Sequence, residues 1–146
     1  MIALLDVNVL IARADTAHQF HDRAVSWLAN QRPLSVATCP LTENGFLRVY
    51  GHHSYPGGPG SPAAAASELE ILRARPEHRF IPDSISILDI APSKPLQGVA
   101  TSDLTDLYLL ALAVRHGAVF VTFDRKIDPS KVAGGSRALL LISPAP

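Results

Sequence analysis

The sequence predicts a three-layer α/β/α domain around a central parallel sheet, on three observations. Short apolar runs recur at residues 2–5, 34–38, 119–122 and 139–142, and they are continuous rather than alternating, as strands covered on both faces require. Segments with helical spacing separate these runs, so strands and helices alternate along the chain. With 146 residues and 47% hydrophobic content, the chain is long enough for one domain with a substantial core, spanning residues 1–146.

The elements follow in order. Residues 2–5 form a buried strand ending at Asp6, and Val9, Leu10 and Ile11 continue as a short helix. In residues 21–31, Ala24, Val25, Trp27 and Leu28 recur at helical spacing, which makes an amphipathic helix that Pro33 closes. LSVAT at 34–38 is a second strand; Pro40 suits the first turn of the next helix, which carries Leu41, Phe46, Leu47 and Val49. GHHSYPGGPGSP at 51–62 is a Gly/Pro-rich exposed loop, followed by a helix over 63–73. A brief strand is expected at 79–82 and a short element at 85–90. Residues 104–114, LTDLYLLALAV, are apolar almost all round and predict a buried helix with Gly117 at its C-cap. Strands at 119–122 and 139–142, the latter an edge or final strand, complete the series.

Composition narrows the function classes. The apolar content excludes disorder, and no internal period supports a solenoid. No run of about 18 apolar residues is present to span a bilayer, and the N-terminus lacks a basic leader region, so a soluble, cytoplasmic protein without membrane attachment is expected. A single cysteine, Cys39, cannot form an internal disulfide or a multi-cysteine zinc site, and is read as a small buried residue. Lys+Arg and Asp+Glu are both 13. If four acids are committed to a metal site, 13 basic residues face nine acids elsewhere, which leaves a modest attraction for a polyanion.

Those four acids are Asp6 after the first strand, Glu43 in the first turn of the helix after the second, Asp106 in the first turn of the buried helix, and Asp124 just past VFVT. In a parallel sheet the strand ends and the following helix starts share one edge, where open α/β folds place their ligands. Two carboxylates about 4 Å apart repel by roughly 4 kcal/mol at an effective dielectric near 20, so such a cluster must protonate, spread apart or bind cations. Oxygen donors without His or Cys companions suit Mg²⁺ or Mn²⁺.

Each acid also has a structural explanation. Glu43 and Asp106 lie where acids stabilise helix N-termini, Asp103 and Asp106 have capping-pair spacing, and Asp6 and Asp124 suit turns. The joint pattern favours the metal site, because Asp6 and Asp106 interrupt otherwise apolar segments, where unpaired charge is costly. His18 with His21, and His52 with His53, have no matching second pair and are read as surface residues. Phe20, Trp27, Phe46 and Tyr108 sit beside aliphatic residues at helical spacing, which favours packing over base stacking.

LLDVNVLIA (4–12), TENGFLRV (42–49), TDLYLLALA (105–113) and VTFDR (121–125) resemble, in order, the successive motifs of PIN-domain ribonucleases, specifically toxins of the VapC type. The resemblance runs through nearly the whole chain. It implies a PIN fold and a Mg²⁺- or Mn²⁺-dependent endoribonuclease leaving 5′-phosphate and 3′-hydroxyl ends. It further implies homodimers and inhibition by a cognate VapB-type antitoxin whose segment occupies the acidic groove. The family's acids carry over to Asp6, Glu43, Asp106 and Asp124, its polar residue two after the first acid to Asn8, and its helix arginine to Arg48. Asn8 and Arg48 are therefore expected at the substrate, Arg115 and Arg125 are further candidates for flanking phosphates, and Asp103 is expected to cap its helix.

The chemistry fits an ion held by Asp6 and Asp106, with Glu43 and Asp124 as direct or water-mediated ligands. A haloacid dehalogenase-like phosphatase needs a second Asp where Asn8 stands, and a receiver domain needs a late lysine that VTFDR lacks. The remaining alternative is a catalytically inactive PIN-like RNA-binding or protein-interaction module, which a metal-dependent cleavage assay separates.

Overall fold

The structure is a computed structural model that describes residues 1–90, 94 and 96–143. Five parallel strands form one sheet in the order β3-β2-β1-β4-β5. They are β1 (Ile2–Leu5), β2 (Ser35–Thr38), β3 (His78–Phe80), β4 (Val119–Thr122) and β5 (Leu139–Leu141). The helices are α1 (Val7–Ala14), α2 (His21–Asn30), α3 (Pro40–Tyr50), α4 (Pro62–Arg73), α5 (Leu104–Arg115) and the short α6 (Gly135–Ala138).

Strand alternation divides the core into two layers. Leu4, Ala37 and Phe120 point to the face covered by α5, where Leu107, Leu109, Leu110 and Leu112 are buried. Ala3, Leu5, Val36 and Val121 point to the opposite face and pack with Val9 and Leu10 of α1, Phe46 of α3, and Leu69 and Leu72 of α4. Because β1 and β4 are buried on both faces, their sequences read as apolar runs, broken only by Thr122 at the end of β4, whereas β2 keeps Ser35 and Thr38 at its ends.

The element ends have local causes. Gly117, at φ 63°, ends α5: its N–H donates to the Val114 carbonyl at 3.2 Å, and the Ala118 N–H donates to the Ala113 carbonyl at 2.9 Å. That pair of bonds is the Schellman closure expected of a glycine there. Ser61 starts α4 by accepting from the Ala64 N–H at 3.1 Å. The 51–62 loop is tied down at Tyr55, whose hydroxyl donates to Asp15 Oδ2 at 2.7 Å and whose ring packs edge-on against Tyr50.

Some boundaries moved. The third strand begins at His78 rather than at 79, and its last bond to β2 is the Ile81 N–H donating to the Thr38 carbonyl at 2.8 Å. The short element at 85–90 is a single 3₁₀ turn, Ile87–Asp89, in which Ser86 Oγ accepts from the Leu88 N–H. Two more 3₁₀ turns, Thr101–Asp103 and Pro129–Lys131, were not anticipated.

Candidate active site

All five strands being parallel, β1, β2 and β4 end at one edge of the sheet, and the acids gather there. Asp6 follows β1 directly and caps α1: its backbone carbonyl accepts from Leu10 at 3.0 Å, and its Oδ1 accepts from the Val7 N–H at 2.6 Å. It is buried, with 7% of its surface exposed.

The residue that organises this edge is Thr122, the last of β4. Its hydroxyl donates to Asp6 Oδ2 at 2.6 Å and accepts from the Asn8 side-chain amide at 3.1 Å and from the Asp124 N–H at 3.0 Å. One donor and two acceptor positions are thereby all used. A β-branched residue closing an apolar strand reads as a strand former, so only its neighbours in space reveal this role.

Asp6, Asp106 and Asp124 share one electrostatic neighbourhood. Burial pushes the Asp106 carboxyl up to about 7, and the negative charges of Asp6, Asp124 and Asp103 add to the rise. Burial also raises Asp6, against the lowering effect of its bonds from Thr122 and Val7, with Asp124 adding a smaller upward push. Metal-free protein therefore carries the crowding as retained protons.

This has a measurable consequence with a definite sign. The Asp106 carboxyl holds its proton to about pH 7 when folded and to about 4 when unfolded. Between those values the folded chain binds more protons, so stability must fall as pH rises through that window. In EDTA, the melting temperature of the wild-type protein is expected to decline from pH 4.5 to 7.5 relative to Asp106→Asn, whose profile lacks that contribution. Parallel profiles would contradict the raised Asp106.

Glu43 stands apart from the three aspartates. It accepts from the Thr38 hydroxyl at 2.7 Å, and one nitrogen of Arg73, on α4, bonds both of its oxygens at 2.9 and 2.8 Å. Thr38 Oγ1 also lies 2.8 Å from His78 Nε2. The single Thr38 proton goes to Glu43, so His78 donates from Nε2, and burial with the nearby Arg73 charge holds its pKa below the usual histidine value. Among the described residues no three His, Cys, Asp or Glu side chains form a ready-made metal cage. Glu43 is thus paired with an arginine, while Asp106 is held well above the usual carboxylate range.

One expectation, the Asp103 cap, needs correction. Asn8 lies at the acid edge: its amide donates to Thr122 and its Oδ1 accepts from the Phe123 N–H at 3.5 Å, which ties α1 to the end of β4. Arg48 is exposed and five residues past Glu43 on α3, which puts it about 7.5 Å farther along the helix and off the Glu43 face. The arginine at Glu43 is Arg73. Asp103 makes no capping bond, because the 3₁₀ turn leading into α5 gives it helical backbone angles; its carboxylate accepts instead from the Ser102 hydroxyl at 3.1 Å.

Other readings hold. Cys39 is fully buried. The histidines do local work: His18 Nδ1 accepts from the Phe20 N–H, His21 bonds the Ala12 carbonyl, and His52 accepts from Ser54. Arg115 is exposed at the far end of α5 from Asp106, whereas Arg125 is exposed next to Asp124. Thr122, Thr38, His78 and Arg73 are the members of the site that sequence reasoning missed.

Comparison with known proteins follows the same lines. The family model of the PIN domain matches residues 3–133. Ribonuclease VapC44 of Mycobacterium tuberculosis is 39% identical over 140 residues, covering 94% of this chain and 96% of its own. Ribonuclease VapC38 of the same organism is 42% identical over 123 residues, covering 84% and 85%. Among solved structures, a crystal structure of VapBC2 from Rickettsia felis bound to a promoter DNA fragment superposes with a TM-score of 0.58 at 17% identity. That match covers 86% of this chain and 90% of that one.

Proposed function

This chain belongs to the PIN-domain family, among its VapC ribonucleases, and on that premise we propose that it is a divalent-metal-dependent endoribonuclease toxin acting at the carboxyl edge of the sheet. The observation that carries the assignment is the convergence of Asp6, Asp106 and Asp124 on one edge, with Asp106 driven up to about 7 by burial and by the other acids.

Asp6, Asp106 and Asp124 are the residues that would hold the ion, and Glu43, now paired with Arg73, would join them directly or through water. The all-oxygen donor set suits Mg²⁺ or Mn²⁺. When bound, the ion supplies Lewis acidity toward water and toward the phosphoryl oxygen. The remaining work falls to the chain. Thr122 and the Val7 N–H donate to the Asp6 carboxylate, favour its ionised form against the effect of burial and aim it at the edge, and Asp106, raised in the metal-free chain by burial and by the neighbouring acids, would release its proton on taking up the ion.

Thr122 gives a test of positioning. Thr122→Val keeps the shape and removes the hydroxyl, leaving Asp6 without its donor and the Asp124 N–H without its acceptor. Mn²⁺ affinity by calorimetric titration is expected to fall about 10- to 100-fold, with Thr122→Ser restoring most of it. Unchanged affinity in the valine variant would remove Thr122 from the site.

The whole-chain reading is one PIN domain. Its partners are RNA, a VapB-type antitoxin and, through the half-covered α2 face where Val25 is 42% exposed, a second copy of the chain. No described helix is long and apolar enough to cross a membrane, and a ribonuclease toxin meets its substrate in the cytoplasm. Purified protein incubated with end-labelled small RNA is expected to give discrete products in Mg²⁺ or Mn²⁺ and none in EDTA, with 5′-phosphate and 3′-hydroxyl ends. Folded, antitoxin-free protein that cuts no RNA in either metal would point instead to an inactive binding module.

A further inference from the structure

Beyond Glu43, on the outer flank of the same edge, Arg73 meets an exposed side chain that has no part in the chemistry above. The Arg73 guanidinium carbon lies 4.9 Å from the centroid of the Phe80 ring. Phe80 is 46% exposed, and 45% of the Arg73 side chain is exposed. What sets Phe80 apart from the other exposed apolar side chains is this guanidinium over its ring, beside the acid edge.

The pair presents a flat apolar surface beside unspent donors. Arg73 meets Glu43 through Nη1 alone, and among the described residues its Nη2 and Nε donate no hydrogen bond. Guanidinium planes and aromatic rings are surfaces on which unpaired bases stack, and guanidinium N–H groups bind phosphate. Position agrees with this use. Phe80 is paired in register with Thr38, whose hydroxyl holds Glu43, and β3 lies two strands from β1. The stack is thus about 10 Å from the end of β1 across the edge, roughly three stacking rises of 3.4 Å.

We infer that Arg73 and Phe80 form a subsite for single-stranded RNA flanking the cleavage centre, with a base stacked on Phe80 and its phosphate on the outward N–H groups of Arg73. This rests on the ribonuclease reading. The subsite gives the enzyme a hold on unpaired segments with little preference among bases, because every base offers a stacking face.

The probe is a 5′-fluorescein-labelled 12-nucleotide single-stranded RNA of mixed sequence, titrated by anisotropy in EDTA so that it stays intact. Phe80→Ala, which touches no acid, is expected to weaken binding at least about fivefold, and Phe80→Trp to restore it. Arg73→Gln is expected to reduce the slope of log K against log salt by about 0.7, the loss of one phosphate contact. Leu88→Ala, which removes an apolar residue 74% exposed elsewhere, should bind as wild type. Wild-type affinity in Phe80→Ala, or an unchanged slope in Arg73→Gln, overturns the subsite. Wild-type cleavage of the same RNA with Mn²⁺ is scored separately, so failure of the ribonuclease reading is distinguishable from failure of the subsite.

Discussion

Asp106→Asn is expected to reduce metal-dependent RNA cleavage by at least about 100-fold while leaving the metal-free protein as stable as wild type, or more stable, at pH 8. The two halves have one cause. At pH 8 the Asp106 carboxyl, titrating at about 7, is mostly ionised in a half-buried place beside the charges of Asp6, Asp124 and Asp103. Asparagine is nearly the same size and removes that repulsion along with the anionic donor. A loss of several kcal/mol of charge stabilisation in the transition state corresponds to two or more powers of ten in rate. Asp6→Asn should lose as much activity. It is the less clean substitution, because an amide at that position must satisfy donors from both Val7 and Thr122. Single-turnover cleavage in Mn²⁺ beside thermal melts in EDTA checks both halves. Full activity in Asp106→Asn would end the assignment of these acids to catalysis.

The largest stability effect is expected from Phe120→Ala. Phe120 is fully buried in β4, paired with Leu4 of β1 on one side and Leu139 of β5 on the other, and its ring lies in the layer with α5. Truncating a fully buried phenylalanine costs about 3–5 kcal/mol, from lost transfer energy and from the cavity left behind. Against a total of about 5–15 kcal/mol for a domain, that is a large share. Urea unfolding should show a lower midpoint at an unchanged slope. The effect should reach the site, since β4 carries Thr122 and leads into Asp124. A cost below about 1 kcal/mol would mean that this layer is not close-packed around the ring.

How far these features were legible follows from the length over which each one is encoded. The strands at 2–5 and 119–122 and the helix over 104–114 were plain, because full burial on both faces leaves largely apolar runs. Asp6 and Asp106 stood out for the same reason: an acid inside an apolar segment is conspicuous. The third strand was displaced, since only its first residue is even half-buried and its composition records little of the pairing. Arg48 is named through the family motif, whereas Arg73, thirty residues from Glu43 and brought back by α4, has no signal in the sequence. Asp103 has the spacing of a capping residue, and only the preceding 3₁₀ turn removes it from that role.

By itself, the sequence determined which segments are strands and helices, that the sheet is parallel, and that acids stand at the ends of those elements. It could do so because burial periodicity and strand ends are local properties, written within a few residues of each position. Only the tertiary structure decided which polar groups meet. Thr122 meets Asp6 across 116 residues, His78 meets Thr38 across 40, and Arg73 meets Glu43 across 30. Those contacts depend on side-chain direction at the sheet edge, a property of the assembled edge, in which no single segment contains its own partner.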